Sequence, residues 1–186
     1  MEKISVLILA GDSNKGEFGP EVTNKSFIEI DDKWMVEYVV DALKDSNRVG
    51  RIAIVGPVEA LKHRLEGKVD YFIQEDEDIF GNIQRGLMPF KEEDFLLIAT
   101  SDIPMIKGEI VSDFINRCST HDAELYYPIV EKDVNDRLYP GFKRTYAKLR
   151  DGTFTGGNIV GLNPKVVEQC GEFARRVIDH RKNPLE

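Results

Sequence analysis

Apolar residues fall along this chain in short runs, separated by stretches in which they recur at helical spacing. The first run, VLILA at residues 6–10, stops at Gly11; a comparable run stands at 95–100, and mostly apolar ones at 51–55, which opens on Arg51 and is closed by Gly56-Pro57, and at 69–73, which includes Asp70. Short runs rich in β-branched residues and leucine, bounded by glycine or proline, predict strands of a parallel sheet buried on both faces. Between them Val36, Val39, Val40 and Leu43 repeat as one side of a helix, as do residues 58–65, the set Ile79, Ile83 and Leu87, and the set Ile110, Phe114 and Ile115. Pro89 ends the third of these helices, and residues 26–30 predict a further short strand. Strand and helix alternating through short connections predict an α/β protein of the doubly wound, three-layer α/β/α sandwich type.

The pattern changes after Ala123. Residues 125–130 predict a strand, whereas 131–140 are mostly charged and predict a loop or flap. Two short strands, 147–149 and 158–162, flank a turn at Asp151-Gly152 and predict antiparallel additions to the sheet edge. Asn163-Pro164 opens a terminal helix whose apolar side carries Val166, Val167, Cys170 and Phe173. The final Leu185-Glu186 resembles the scar that precedes a purification tag, so a truncated piece of a longer protein and a natural end both stay open.

Composition narrows the function classes. With 186 residues and 41% hydrophobic content, the chain is expected to form a single domain over 1–186 with one sizeable core. No apolar stretch approaches a membrane span and no leader pattern opens the chain, so a cytoplasmic protein without a membrane partner is expected. The net charge of −8 argues against tracking a nucleic-acid backbone, which needs clustered lysine and arginine. Cys118 and Cys170 lack metal-ligand spacing, and His63, His121 and His180 are isolated.

The chemistry concentrates where strands end. In open α/β sheets ligands bind outside the carboxyl ends of the strands. The polar loop after the first run holds Gly11, Gly16 and Gly19 with Lys15 and Lys25, which suits a phosphorylated ligand because glycine backbone can approach an anion and lysine adds point charge. Asp102 lies just past the run at 95–100, after Ser101; it could hold a hard cation or cap the next helix. The paired glycines of Thr155-Gly156-Gly157-Asn158 would let backbone approach a ligand, or make an ordinary hairpin bend. Lys143, Arg144, Lys148 and Arg150 could clamp an anionic acceptor or face solvent, and the acidic run at 74–78 reads as a solvated loop.

Four segments taken together, LAG at residues 9–11, Lys25, FGNIQRGL at 80–87 and SDIP at 101–104, resemble the MobA-like nucleotidyltransferase family in order and spacing. The resemblance implies a GT-A type fold with a mostly parallel sheet and antiparallel strands in the second half. It implies that Leu9, Ala10 and Gly11 wrap the nucleotide phosphates, that Gly81 and Asn82 approach base and ribose, and that Asp102 holds Mg²⁺, with Asn158 as second oxygen ligand. Lys25 and Lys15 would carry catalytic charge. Three departures stand out: Asp12 replaces a common second glycine, the distance from Gly11 to Lys25 is a few residues longer, and Lys15 stands where relatives have arginine, which a lysine cannot copy as a bidentate phosphate contact. The expected activity is Mg²⁺-dependent transfer of a nucleoside monophosphate from an NTP to a small phosphorylated or hydroxyl acceptor, with pyrophosphate as leaving group. The alternatives are a nucleotide or sugar-nucleotide binding domain without transfer activity and, more distantly, a GT-A glycosyltransferase.

Overall fold

The computed structural model describes residues 3–11, 24–142, 144–169 and 171. In chain order, strand β1 (Ile4–Leu9) is followed, after residues 12–23, by a 3₁₀ turn (Lys25–Phe27) and a tight hairpin of β2 (Glu29–Ile30) and β3 (Lys33–Trp34). Helix α1 (Met35–Asp45), β4 (Val49–Gly56), α2 (Val58–Leu65), β5 (Tyr71–Gln74) and α3 (Ile79–Leu87) follow, then β6 (Leu96–Thr100) and α4 (Gly108–Cys118). The second half contributes β7 (Leu125–Tyr126), β8 (Ile129–Glu131), α5 (Lys132–Leu138), β9 (Ala147–Leu149), β10 (Gly152–Gly156), β11 (Ile159–Leu162) and α6 (Pro164–Gln169).

Six strands form the main sheet in the order β5-β4-β1-β6-β11-β7. β5, β4, β1 and β6 run parallel, and β11 pairs antiparallel with both β6 and β7. Because successive strand residues point to opposite faces, Val6, Ile8 and Ala10 enter one core with α1, α2 and α4, while Leu7 enters the other beneath α3 and α6. Both faces of the central strands are therefore covered, which is why those strands read as continuous apolar runs. Among the described residues no helix is long and apolar enough to cross a membrane.

Four expectations are corrected. Residues 26–30 do not form one strand: the chain makes the 3₁₀ turn, then the β2–β3 hairpin, whose two turn residues Asp31 and Asp32 have φ of 47° and 66° as a two-residue hairpin loop requires. The strand expected over 125–130 breaks at Tyr127-Pro128, because proline has no N–H to give a ladder; β7 stays in the main sheet and β8 joins a separate sheet, β8-β10-β9. The charged stretch 131–140 contains α5, whose buried residue is Asn135 rather than an apolar side chain. Residues 147–149 pair with β10 in the small sheet and not with the main sheet edge, whereas β11 lies inside the main sheet with β7 beyond it.

Candidate active site

The carboxyl ends of β1, β4 and β6 meet at one edge. Ala10 N–H donates to Val55 O at 2.8 Å and Ser101 N–H to Leu9 O at 3.1 Å, so the Leu9-Ala10-Gly11 and Ser101-Asp102 segments leave the sheet side by side. Lys25 also lies at this edge, and a buried clasp fixes it there. Asn24 accepts from Ser26 N–H at 2.7 Å as the cap of the 3₁₀ turn and donates through Nδ2 to Ala10 O at 2.7 Å. Ser26, fully buried, shares a 2.7 Å hydrogen bond with the Ser101 hydroxyl and donates to Ala10 O at 3.3 Å. Lys25 sits between two anchored neighbours, and its Nζ reaches Asp102 Oδ2 at 2.7 Å.

That pair is the electrostatic centre of the edge. Burial pushes the Asp102 carboxyl up, but the Lys25 ammonium, joined by the nearby Thr100 hydroxyl, outweighs burial and holds the carboxyl below the usual aspartate range. Asp102 is thus ionised at neutral pH. Its second oxygen, Oδ1, is buried and makes no well-aligned hydrogen bond, and the Thr100 hydroxyl near this carboxylate makes none either. A buried, unsatisfied carboxylate oxygen is a costly feature for a fold to keep, and it fits a hard divalent cation. No group of three or more His, Cys, Asp or Glu that could cage a metal exists among the described residues. An ion here would use Asp102 with water and phosphate oxygens for the remaining positions, as Mg²⁺ commonly does.

Asn158 reaches the same edge from the other side. The β11–β6 register sets Ile159 opposite Ala99, and Thr100 N–H donates to Asn158 O at 3.0 Å, two residues before Asp102. The glycines beside it have a packing reason: a Cβ on Gly156 would lie 1.9 Å from Tyr127 Oη, and one on Gly157 would lie 2.8 Å from Pro128 Cγ. Gly157 N–H also donates to Pro128 O at 2.8 Å. The closeness read as approach to a ligand is therefore occupied, at these glycines, by the Tyr127-Pro128 corner.

On the far side of β1, Asn82 is buried near Gly11. Its Oδ1 accepts from Asp76 N–H at 2.6 Å, and a Cβ on Gly11 would lie 2.9 Å from both Asn82 Nδ2 and Glu75 Oε2. The acidic run thus touches the edge through Glu75, more closely than a solvated loop would. Gly81 donates its N–H to Asp78, the cap of α3, at 2.7 Å, and a Cβ there would strike Asp76 Cγ at 2.7 Å. Arg144, an exposed residue, donates to Thr155 Oγ1 and Gly156 O at 3.2 Å each.

Leu9, Ala10, Gly11, Lys25, Asn82, Asp102 and Asn158 are therefore gathered on one edge of the sheet, while Gly81 serves the start of α3. Lys15, Asp12 and Lys143 lie outside the described residues. The clasp residues Asn24, Ser26 and Ser101 were missed as a unit, although Asn24 two residues before Ser26 is a recognisable cap pattern.

With this geometry in place, comparison with known proteins decides the family. A family model described as the MobA-like NTP transferase domain matches residues 6–175. The chain belongs to that family. It is accordingly an enzyme of the nucleotidyltransferase class. No curated protein matches the sequence. Among solved structures, a hypothetical transferase from Thermus thermophilus superposes with a TM-score of 0.82 at 31% identity, over 98% of this chain and 75% of that one. CMP:2-keto-3-deoxy-manno-octonic acid synthetase complexed with CTP gives 0.67 at 11% identity, over 92% and 78%. A 4-diphosphocytidyl-2C-methyl-D-erythritol synthase from Anaerococcus prevotii gives 0.64 at 16%, over 94% and 76%. At such identities the last two share the fold.

Proposed function

We propose that this nucleotidyltransferase is Mg²⁺-dependent and moves a nucleoside monophosphate from an NTP to the phosphate or hydroxyl of a small acceptor. The acceptor oxygen attacks the α-phosphorus in line, and the bond to pyrophosphate breaks. Such chemistry needs positioning and charge neutralisation more than a covalent protein group. The observation that carries the reading is the Lys25–Asp102 pair, with one Asp102 oxygen engaged at 2.7 Å and the other buried without a well-aligned hydrogen bond.

Each residue at the edge then has a task. The anchored Lys25 ammonium faces the phosphates and offsets the charge that builds as pyrophosphate departs. Asp102 would hold Mg²⁺ through Oδ1, with Asn158 as a neutral second oxygen donor, and the ion would draw charge from the phosphate oxygens. Backbone from Leu9 to Gly11 borders the phosphates, and Asn82 stands where base or ribose would lie. A cytoplasmic setting, where NTPs and Mg²⁺ are supplied, goes with this reading.

The test is a thermal-shift screen of the four NTPs with Mg²⁺, followed by pyrophosphate release with a panel of phosphorylated and hydroxyl acceptors. A ligand that binds only the folded state raises the melting temperature, and the NTP that does so should release pyrophosphate when an acceptor is present. Binding without pyrophosphate release from any acceptor would instead favour a nucleotide-binding domain.

A further inference from the structure

A groove of about 350 Å³ opens beside the proposed active site on the α4 side of the sheet. One wall is Ile106, Ile110 and Phe114, from α4 and the turn before it; the other is Val130 and Leu138, from β8 and α5. It starts at the catalytic edge, since Asn158, opposite Thr100, and Ile103, next to Asp102, both line it. Its volume lies at the small end of ligand pockets, roughly 300–1,000 Å³.

Among the polar side chains around this groove, Arg144, Thr155 and Asn135 are already engaged, and Asn158 lies at its catalytic end. Arg144 donates to Thr155 and Gly156, and the buried Asn135 donates to Tyr146 Oη at 2.9 Å. A body rich in hydroxyls would bury them against methyl groups and ring edges, leaving hydrogen bonds unmade. An alkyl or aromatic body would replace water on side chains that stand strikingly open for their type, Ile110 at 55% and Leu138 at 60% exposure. Resting on the nucleotidyltransferase reading, we propose that the acceptor is amphipathic: its phosphate or hydroxyl reaches Asp102, and an alkyl or aromatic body fills this groove.

Isothermal titration of the full chain with hexyl phosphate, phenyl phosphate and glucose 1-phosphate tests it. The two apolar esters should bind at least roughly tenfold more tightly than the sugar ester, the scale of burying a few methylenes. Ile110→Gln and Leu138→Gln, both at exposed positions, should weaken hexyl phosphate binding by a similar factor, with the NTP-induced rise in melting temperature as the check on folding. Equal or tighter binding of glucose 1-phosphate would overturn the proposal, as would variants that bind hexyl phosphate like the wild type. Sedimentation velocity covers the competing occupant: a wild-type dimer that Leu138→Gln dissociates would make the groove an interface between copies and overturn the proposal. Preferential hexyl phosphate binding without pyrophosphate release from any NTP would support the groove's preference while removing the transfer reading.

Discussion

Removing one hydroxyl of the Ser26–Ser101 clasp should cost the fold more than the loss of a single surface contact. Ser26 is fully buried and Ser101 is 2% exposed, and their hydroxyls share a 2.7 Å hydrogen bond while Ser26 also contacts Ala10 O. Ser26→Ala leaves the Ser101 hydroxyl buried without that partner, which costs about 1–3 kcal/mol, whereas a satisfied neutral pair contributes only about 1 kcal/mol net. Ser101→Ala should cost less, because the Ser26 hydroxyl keeps Ala10 O as an acceptor. The double variant should be less destabilised than the sum of the two, because no hydroxyl is then left unpaired. Urea denaturation of all four proteins reads this as a coupling of about 1 kcal/mol, and each single variant should melt lower by about 2–4 °C for each kcal/mol lost. Additive effects within about 0.5 kcal/mol would refute the clasp. Since the clasp flanks Lys25, the same variants should also lose turnover while NTP binding changes less.

Lys25→Ala should lower kcat/KM by about 10² or more, the scale of removing one preorganised electrostatic donor, in steady-state pyrophosphate release; a near-wild-type rate beside a dead Lys15→Ala would move the role to Lys15. Gly86→Ala should destabilise by about 1 kcal/mol net, although alanine ordinarily favours a helix by about that much, because the added Cβ would lie 2.4 Å from Leu7 Cδ1 and 2.9 Å from Val55 Cγ2; a raised melting temperature would contradict the packing. The Asp102 carboxyl titrates below its unfolded value, so its contribution is complete above the unfolded pKa and is lost as pH falls through the folded one. Lys25→Ala should therefore flatten the loss of stability with acid, measured by denaturant unfolding across the acidic range, and an unchanged slope would count against the ion pair.

The parallel half of the fold was legible because its central strands β4, β1 and β6 are buried on both faces over most of their length, and such burial writes itself as apolar runs ending at the ligand edge. Asp102 could be placed by that rule alone: it follows the run at 95–100, and strand β6 ends at Thr100. The second half was less legible for equally physical reasons. Helix α5 has no apolar stripe, since its buried member is Asn135. Gly152 reads as part of a turn with Asp151 and Gly156 as part of a bend before Asn158, yet Gly152–Gly156 is the central strand of the small sheet, and Gly156 is required by the Tyr127 ring. The clasp was invisible because its members lie 75 residues apart in the chain. Glu75 belonged to a charged run, and only the folded chain brings its carboxylate over Gly11.

Mg²⁺ titration of pyrophosphate release, for the wild type and Asp102→Ala with the NTP that gives the largest thermal shift, addresses the catalytic edge most directly. Wild-type turnover should rise with Mg²⁺ and saturate. Asp102→Ala should stay folded, because the carboxylate is at the sheet edge and contributes little to either core, and should lose the Mg²⁺-dependent turnover. A folded Asp102→Ala protein with an unchanged Mg²⁺ titration would contradict the account.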